Sequence, residues 1–183
     1  MRQNNKIHIL DEKQVKLVVW QEDTSNKTAK LSKRERENFE VLNLLHSISP
    51  KGLLKHLESG APIITNSKFS HISISHYRGW YALFLSIKPV GVDIQPLSKS
   101  LSKGTFYFLN KNEKQFNEEL DLHLIWSAKE AFYKMLHGNI ENLKEDVTIK
   151  EINRPQYEIT INYQQKEYLL YYQINSSYVL VWC

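Results

Sequence analysis

Strict alternation of apolar and polar residues between positions 157 and 163 constrains the fold of this chain more than any other feature. One face of this extended segment carries the aromatic and aliphatic residues Tyr157, Ile159, Ile161 and Tyr163. The opposite face is polar, as expected for a half-buried strand. Two further apolar and aromatic segments, 168–174 and 178–182, follow and are separated by a short Asn-Ser-Ser turn. The pattern from residue 147 onward therefore predicts a β-meander.

Weaker signals of the same kind divide the rest of the chain into strands and helices. Runs of β-branched and aromatic residues predict strands at 15–20, 71–75, 80–87 and 90–95. Capping, turn and spacing signals predict helices at 33–46, 51–57, 105–119 and 122–137. Ser32 with Glu35 forms a capping-box pattern, and Gly138 stands in the usual stop position. The order of elements predicts an α+β fold of two halves, residues 1–96 and 97–183.

Composition narrows the class of protein without choosing a function. The 183 residues are 42% apolar and 24% charged, which is typical of a globular domain. The one cysteine excludes a disulfide framework. The first residues lack the apolar core of a signal peptide, and no apolar run approaches the ~18 residues of a membrane span. We therefore expect a soluble cytoplasmic protein. The net charge of +4 suits an anionic ligand, an acidic protein or nucleic acid equally.

The segment GVDIQ at 91–95 is a candidate half-site for a hard cation. A period of two sends Val92 and Ile94 to the core and leaves Asp93 and Gln95 together on the opposite face. Gly91 shares that second face and allows a ligand or backbone to come close. Oxygen ligands on a rigid strand suit Mg²⁺. On this fragment alone, an Asp that only caps a strand end remains the alternative.

The run WSAKEAFYK at 126–134 combines an acid and a base on one helix face. Lys134 follows Glu130 by four positions, and Trp126 lies one turn before Glu130. The pair could serve transfer of a phosphate group from a metal-bound pyrophosphate. A surface ion pair beside a core Trp is the alternative.

The segment SISH at 73–76 places a hydroxyl and an imidazole at the end of a predicted strand. Ser75 and His76 could donate hydrogen bonds to phosphate oxygens there. A His that only forms a hydrogen bond within a loop is the alternative.

The order of these three segments resembles the 4′-phosphopantetheinyl transferase superfamily, whose pattern is S-x-S-H, G-x-D-x-E and W-x-x-K-E-A-x-x-K. The close match spans residues 71–134. The mid-chain position of Asp93 is similar to the longer, surfactin-synthetase-activating kind. The resemblance implies a monomer of two related α+β halves packed as a pseudo-dimer, with antiparallel sheets that carry helices on one side. It also implies a CoA-binding N-terminal half and a metal-binding C-terminal half.

The resemblance implies transfer of 4′-phosphopantetheine from coenzyme A to a serine of an apo acyl or peptidyl carrier protein, with release of 3′,5′-ADP. Asp93, Gln95 and Glu130 would hold Mg²⁺, and Glu130 would also take the proton of the serine. Lys134 would lie on the CoA pyrophosphate and stabilise charge as the bond breaks. The other CoA contacts would come from Ser75, His76, Lys129 and Lys51.

Two residues depart from the family pattern. Gln95 stands where a third acidic ligand is usual, so the site loses one negative charge although an amide oxygen can still ligate. Ala61 stands where a turn usually carries a Lys, which removes one nucleotide contact. The candidates for the 3′-phosphate are basic residues of the first half, Lys33, Arg34, Lys51 and Lys55, of which Lys51 is preferred.

Two other classes of function compete with this interpretation. A non-catalytic module of the same fold would bind CoA or a carrier but modify nothing, because Gln95 and Ala61 weaken the site. A nucleic-acid-binding protein would need an Arg- and Gly-rich surface pattern, whereas the aromatic residues here alternate as in a core. We therefore expect no nucleic-acid partner.

Overall fold

The computed structural model describes residues 6–22, 31–97 and 100–183. The chain divides into two compact units, Met1–Pro89 and Val90–Cys183. The predicted division after residue 96 falls within the second unit, because the strand that ends there pairs with the last strand of the chain. Helices and antiparallel sheets occur in both units, so the predicted α+β class is confirmed. Within the described ranges, no helix is both long and apolar enough to cross a membrane.

The first unit contains a four-stranded antiparallel sheet and a separate hairpin. Its strands are β1 (Lys6–Asp11), β2 (Val15–Gln21), β3 (Leu53–His56), β4 (Pro62–Thr65), β5 (His71–Tyr77) and β6 (Trp80–Ser86). The sheet has the order β1-β2-β6-β5, and β3 pairs with β4. The register places Val18 opposite Leu83 and Ile74 opposite Leu83, so central β6 carries the core of this unit. Because β5 is an edge strand, its last residues lie at the border of the sheet.

Helix α1 (Lys33–Ile48) begins where the capping box predicts. The Ser32 hydroxyl accepts a hydrogen bond from the Glu35 backbone, and the Ser32 backbone donates to Glu35 Oε2 at 2.8 Å. Val41, Leu44 and Leu45 form its buried side and pack into the same core as Val18 and Leu83.

The predicted short helix at 51–57 is wrong, because this segment contains strand β3 instead. The turn after it is closed by hydrogen bonds from the Leu57 backbone to Ala61 O and from the Gly60 backbone to Leu57 O, both 2.9 Å. Gly60 has φ of 84°, a conformation that suits glycine. Hairpin pairing therefore overrides the local helix signal from Pro50. Strands β1 and β4 were not predicted from the sequence.

The second unit is built on a five-stranded antiparallel sheet. Its strands are β7 (Val92–Pro96), β8 (Val147–Asn153), β9 (Glu158–Tyr163), β10 (Lys166–Ile174) and β11 (Tyr178–Trp182). The order β7-β11-β10-β9-β8 confirms the predicted meander. Strand β7 joins its edge, with Asp93 opposite Val181. The GVDIQ segment therefore lies beside the end of the chain.

The helices of the second unit are α2 (Thr105–Phe108), α3 (Glu119–Met135) and α4 (Leu143–Asp146). Helix α3 confirms the predicted helix at 122–137, and Gly138 follows it with φ of 85°. The continuous helix predicted at 105–119 is wrong beyond Phe108, because Asn110 caps a 3₁₀ turn and forms a capping box with Glu113. The apolar side of α3, including Ala128 and Phe132, packs in one core with the sheet.

Candidate functional site

Gly91 sets the distance between strand β7 and helix α3. A Cβ at this position would lie 1.8 Å from the Ala131 carbonyl oxygen and 3.0 Å from the Met135 backbone nitrogen. Gly91 also exchanges two backbone hydrogen bonds with Cys183, each 3.0 Å long. Because these contacts are with backbone atoms of α3, which cannot move aside easily, only glycine fits here. The next residues of β7 are thereby held against α3.

Asp93 accepts hydrogen bonds from protein groups at both carboxylate oxygens. Lys134 Nζ of α3 donates to Asp93 Oδ1 at 2.7 Å, and Gln95 Nε2 donates to Asp93 Oδ2 at 3.3 Å. The Lys134 ammonium also donates to the Val92 carbonyl at 3.1 Å. Strand alternation places Val92 and Ile94 in the core and brings Asp93 and Gln95 together on the other face. The helix and the strand therefore meet through a charged contact.

Glu130 of α3 is influenced by the charges of Asp93 and Lys134. Burial raises the pKa of its carboxyl group, the charge of Asp93 raises this pKa further, and the Lys134 ammonium lowers it. The Asp93 side chain is only 5% exposed and that of Lys134 26% exposed, so solvent screens these charges incompletely. The structure thus brings together Asp93, Glu130 and Lys134, which two separate sequence motifs contribute.

The donor set at this position fits a magnesium ion that is shared with a phosphate ligand. Among residues 6–22, 31–97 and 100–183, no group of three or more His, Cys, Asp or Glu side chains is suited to a metal ion. Magnesium in proteins is commonly bound through one or two carboxylates, with substrate phosphates and water completing the octahedron. Asp93 and Glu130 supply such a pair. The amide nitrogen of Gln95 is engaged by Asp93, which leaves its carbonyl oxygen as the possible ligand.

The resemblance implies that Lys129 supports the CoA phosphates less directly than Lys134, and its place in the interior argues against direct contact with them. Its side chain is completely buried. The ammonium donates to Phe108 O at 2.8 Å, Glu113 Oε2 at 2.8 Å and Lys144 O at 3.1 Å. These three acceptors use all three of its protons. Burial lowers the pKa of Lys129, and the Glu113 charge counteracts this shift.

Glu113 is an internal acceptor that the sequence analysis missed. Its Oε1 accepts from the Ile149 backbone at 2.7 Å, and its Oε2 also accepts from the Asn110 backbone at 2.9 Å. The Asn110 side chain donates to Thr148 Oγ1 at 3.0 Å and to Lys144 O at 3.2 Å. The spacing of Asn110 and Glu113 was the available sequence signal, because it matches a capping box.

The CoA residues predicted in the first unit lie at the end of β5 and in a turn before β3. Ser75 is buried, whereas the His76 side chain is 41% exposed. His76 Nδ1 lies 3.4 Å from Glu37 Oε1 of helix α1, and its ring centroid lies 5.9 Å from that of Tyr81. Lys51 is exposed.

Several glutamates surround Tyr81 near His76, and the sequence analysis missed them. The Tyr81 hydroxyl donates to Glu22 Oε2 at 3.4 Å, and Trp20 Nε1 donates to Glu40 Oε2 at 3.2 Å. Burial raises the pKa of Tyr81, and the charges of Glu22, Glu37 and Glu40 raise it further. The surroundings of His76 within the first unit are therefore acidic as well as aromatic.

A family model of known proteins matches the second unit of this chain. Residues 89–183, more than half of the chain, match the family model of the 4′-phosphopantetheinyl transferase superfamily. 4′-Phosphopantetheinyl transferase Sfp of Bacillus subtilis (strain 168) is 32% identical over 87 residues, which cover 42% of this chain and 38% of that relative. The chain thus matches well under two thirds of the relative's length. Asp93, Glu130 and Lys134 lie within the residues matched by the family model, whereas Ser75 and His76 lie outside them.

Proposed function

The chain belongs to the 4′-phosphopantetheinyl transferase superfamily, and from this premise we propose that it transfers 4′-phosphopantetheine from coenzyme A to a serine of an apo acyl or peptidyl carrier protein. The second product is 3′,5′-ADP. One observation carries the proposal: the contact of Asp93 with Lys134, beside Glu130, within the matched residues. A pair of carboxylates with an adjacent ammonium suits the handling of a metal-bound pyrophosphate.

Asp93 and Glu130 are the proposed ligands of Mg²⁺, with the Gln95 carbonyl oxygen as a third. When bound, the ion would neutralise charge on the pyrophosphate oxygens. Glu130 accepts the proton of the carrier serine, directly or through water. The serine oxygen forms a bond to the β-phosphorus while the bond from that phosphorus to the bridging oxygen breaks. The electron pair leaves with 3′,5′-ADP.

Lys134 stabilises the charge that develops on the phosphates. Among the described residues its ammonium donates to two acceptors, Asp93 and the Val92 carbonyl, and the third of its protons is the one proposed to reach a phosphate oxygen. Because the side chain is partly exposed, a ligand can approach it. Positioning and electrostatics of this kind supply most of the rate in phosphoryl transfer.

The first unit is proposed to bind the nucleotide part of CoA through Ser75, His76 and Lys51. The exposed imidazole of His76 supports this role, whereas the nearby Glu37 carboxylate opposes an anion. We therefore expect His76 to contribute modestly. Carrier proteins are typically acidic around their serine, and the net charge of +4 would speed their encounter with this protein. A cytoplasmic monomer that binds no nucleic acid remains our expectation.

The test is the intact mass of candidate apo carriers after incubation with this protein. We expect one carrier to gain a single phosphopantetheine only when CoA and Mg²⁺ are both present. Unchanged masses across fatty-acid, polyketide and peptide-synthetase carriers would overturn the proposal. Binding of CoA without modification of any carrier would favour a non-catalytic module of the same fold.

A further inference from the structure

Lys134 is anchored to strand β7 by two different kinds of acceptor. Its ammonium donates to the Asp93 carboxylate at 2.7 Å and to the Val92 carbonyl at 3.1 Å. The carbonyl belongs to a strand whose position is fixed by pairing with β11. An ammonium with one backbone and one carboxylate acceptor is held more firmly than a surface lysine with a lone partner. Lys134 is therefore part of the site itself.

The contact places a fixed positive charge on the same carboxylate that is proposed to bind the metal. Asp93 is nearly buried and also accepts a hydrogen bond from Gln95. Each carboxylate oxygen has two lone pairs, so a metal can still bind beside these donors. Two carboxylates and one ammonium leave a net charge of about −1. Such a site attracts a divalent cation less than two carboxylates alone.

We propose that Lys134 is an internal counter-ion that competes with the divalent cation for Asp93, so that Mg²⁺ binds weakly until CoA is present. This inference rests on the metal site of the proposed function. The CoA pyrophosphate adds negative charge and offers Lys134 another acceptor, which weakens the hold of the ammonium on Asp93. Binding of CoA and Mg²⁺ is therefore mutually favourable, and by thermodynamic linkage each tightens the other by the same factor.

The first experiment is calorimetric titration of Mg²⁺ alone into CoA-free protein. Lys134→Met should bind Mg²⁺ about tenfold more tightly than wild type, which corresponds to about 1.4 kcal/mol. Lys134→Arg keeps the charge and should stay close to wild type. The matched control is Lys150→Met, which removes an exposed charge on β8, at the opposite edge of the sheet from β7. Four strand spacings separate the two edges, about 19 Å, so screening should leave the metal affinity unchanged.

The second experiment repeats the titration with a non-reacting mixture that contains CoA but no carrier. CoA should tighten Mg²⁺ binding more in wild type than in Lys134→Met, because the variant has no competing ammonium to displace. If Lys134→Met does not fold, Lys134→Gln, which keeps a donor for the Val92 carbonyl, should show the same changes in smaller measure.

Three results would overturn the inference. The first is unchanged or weaker Mg²⁺ binding in Lys134→Met. The second is an equal effect of CoA on the Mg²⁺ affinity of wild type and Lys134→Met. The third is no detectable Mg²⁺ binding to either protein. Carrier modification by wild type, measured separately in the presence of Mg²⁺, shows whether the transferase function itself survives such a result.

Discussion

Two groups of carboxylates, one around Tyr81 and one around Asp93, differ in their surroundings. In the first unit, around Tyr81, Glu37 lies near a half-exposed His76, and Glu22 lies 3.9 Å from a partly exposed Arg36. In the second unit, Asp93 is buried and shares Lys134 with Glu130. Glu37 lies near Lys33 as well as His76, so the first group has several basic partners, whereas Asp93 and Glu130 both interact with Lys134.

This difference in surroundings indicates which of the two groups is better suited to catalysis. Partly exposed contacts such as that of Glu37 with His76 contribute little, typically ~0–1 kcal/mol, because water and salt screen them. Incompletely screened charges near Asp93 act strongly on one another and on any bound ion. We therefore propose that the second unit carries the reaction and that the first has a weaker recognition role.

The largest expected effect is the loss of transfer on changing Asp93 or Glu130. Asp93→Asn and Glu130→Gln keep the shape of the side chains but remove one negative charge each. Loss of an outer-shell partner of a metal ligand typically costs about 10–100-fold, so loss of a direct ligand should cost more than a hundredfold. Initial rates of carrier modification measure the effect.

Glu37→Gln in the first unit is the matched control for these two variants. It removes one carboxylate charge near His76, where we place no metal. Its rate should stay within a few-fold of wild type. Near-normal turnover by either variant of the second unit would show that the metal site lies elsewhere.

The next largest effect concerns stability within the second unit. Lys129→Met leaves the completely buried Glu113 carboxylate without its ammonium, and breaking a buried pair typically costs about 3–5 kcal/mol. Lys129→Met combined with Glu113→Gln removes both charges but keeps an acceptor for the Ile149 backbone. The double variant should recover part of the loss.

Urea unfolding midpoints measure this difference, with Lys134→Met as the comparison. Since Lys134 is partly exposed, its removal should cost less than removal of the completely buried Lys129. Equal losses for the two lysines would contradict the distinction between a buried structural pair and a functional one.

A smaller effect should separate Lys134 from His76 kinetically. Lys134→Ala should lower kcat, because the charge acts as the bond breaks. His76→Ala should mainly raise the KM for CoA, by a few-fold, since its neighbour Glu37 already weakens binding of an anion. Steady-state kinetics with CoA as the varied substrate distinguish the two. An unchanged KM for CoA in His76→Ala would leave this histidine with a structural role in β5 only.

The last effect, at Gln95, concerns the magnesium requirement. Gln95→Glu would place a third carboxylate beside Asp93 and should lower the Mg²⁺ concentration for half-maximal transfer by roughly tenfold, about 1.4 kcal/mol. Turnover at saturating Mg²⁺ should fall slightly, because the added charge also repels the pyrophosphate. A Mg²⁺ titration of both proteins under identical CoA and carrier measures the shift. Coincident half-saturation points would mean that Gln95 is not a ligand.

Local patterns predicted those parts of the fold that depend on neighbours in sequence. The capping box at Ser32, the meander and helix α3 follow from spacing, and strand alternation brings Asp93 and Gln95 together. Residues 51–57 were wrongly predicted as a helix because pairing of β3 with β4 is a tertiary effect.

The candidate site was predictable to the same extent. Motif order predicted Asp93, Glu130 and Lys134, which the fold brings together. The sequence could not show that the neighbouring Lys129 faces the interior, since its partner Glu113 lies in a turn on a different segment. The glutamates around Tyr81 escaped notice for the same reason, because residues from separate elements form that group.

The most direct test is to measure holo-carrier and 3′,5′-ADP in the same quenched reaction of wild type and Glu130→Gln. Intact mass of the carrier and chromatography of the nucleotide supply the two amounts. We predict equal amounts of both products from wild type with CoA and Mg²⁺, and almost none of either from Glu130→Gln. An unmodified carrier with the folded wild-type protein, or equal products at the wild-type rate from Glu130→Gln, would contradict the account.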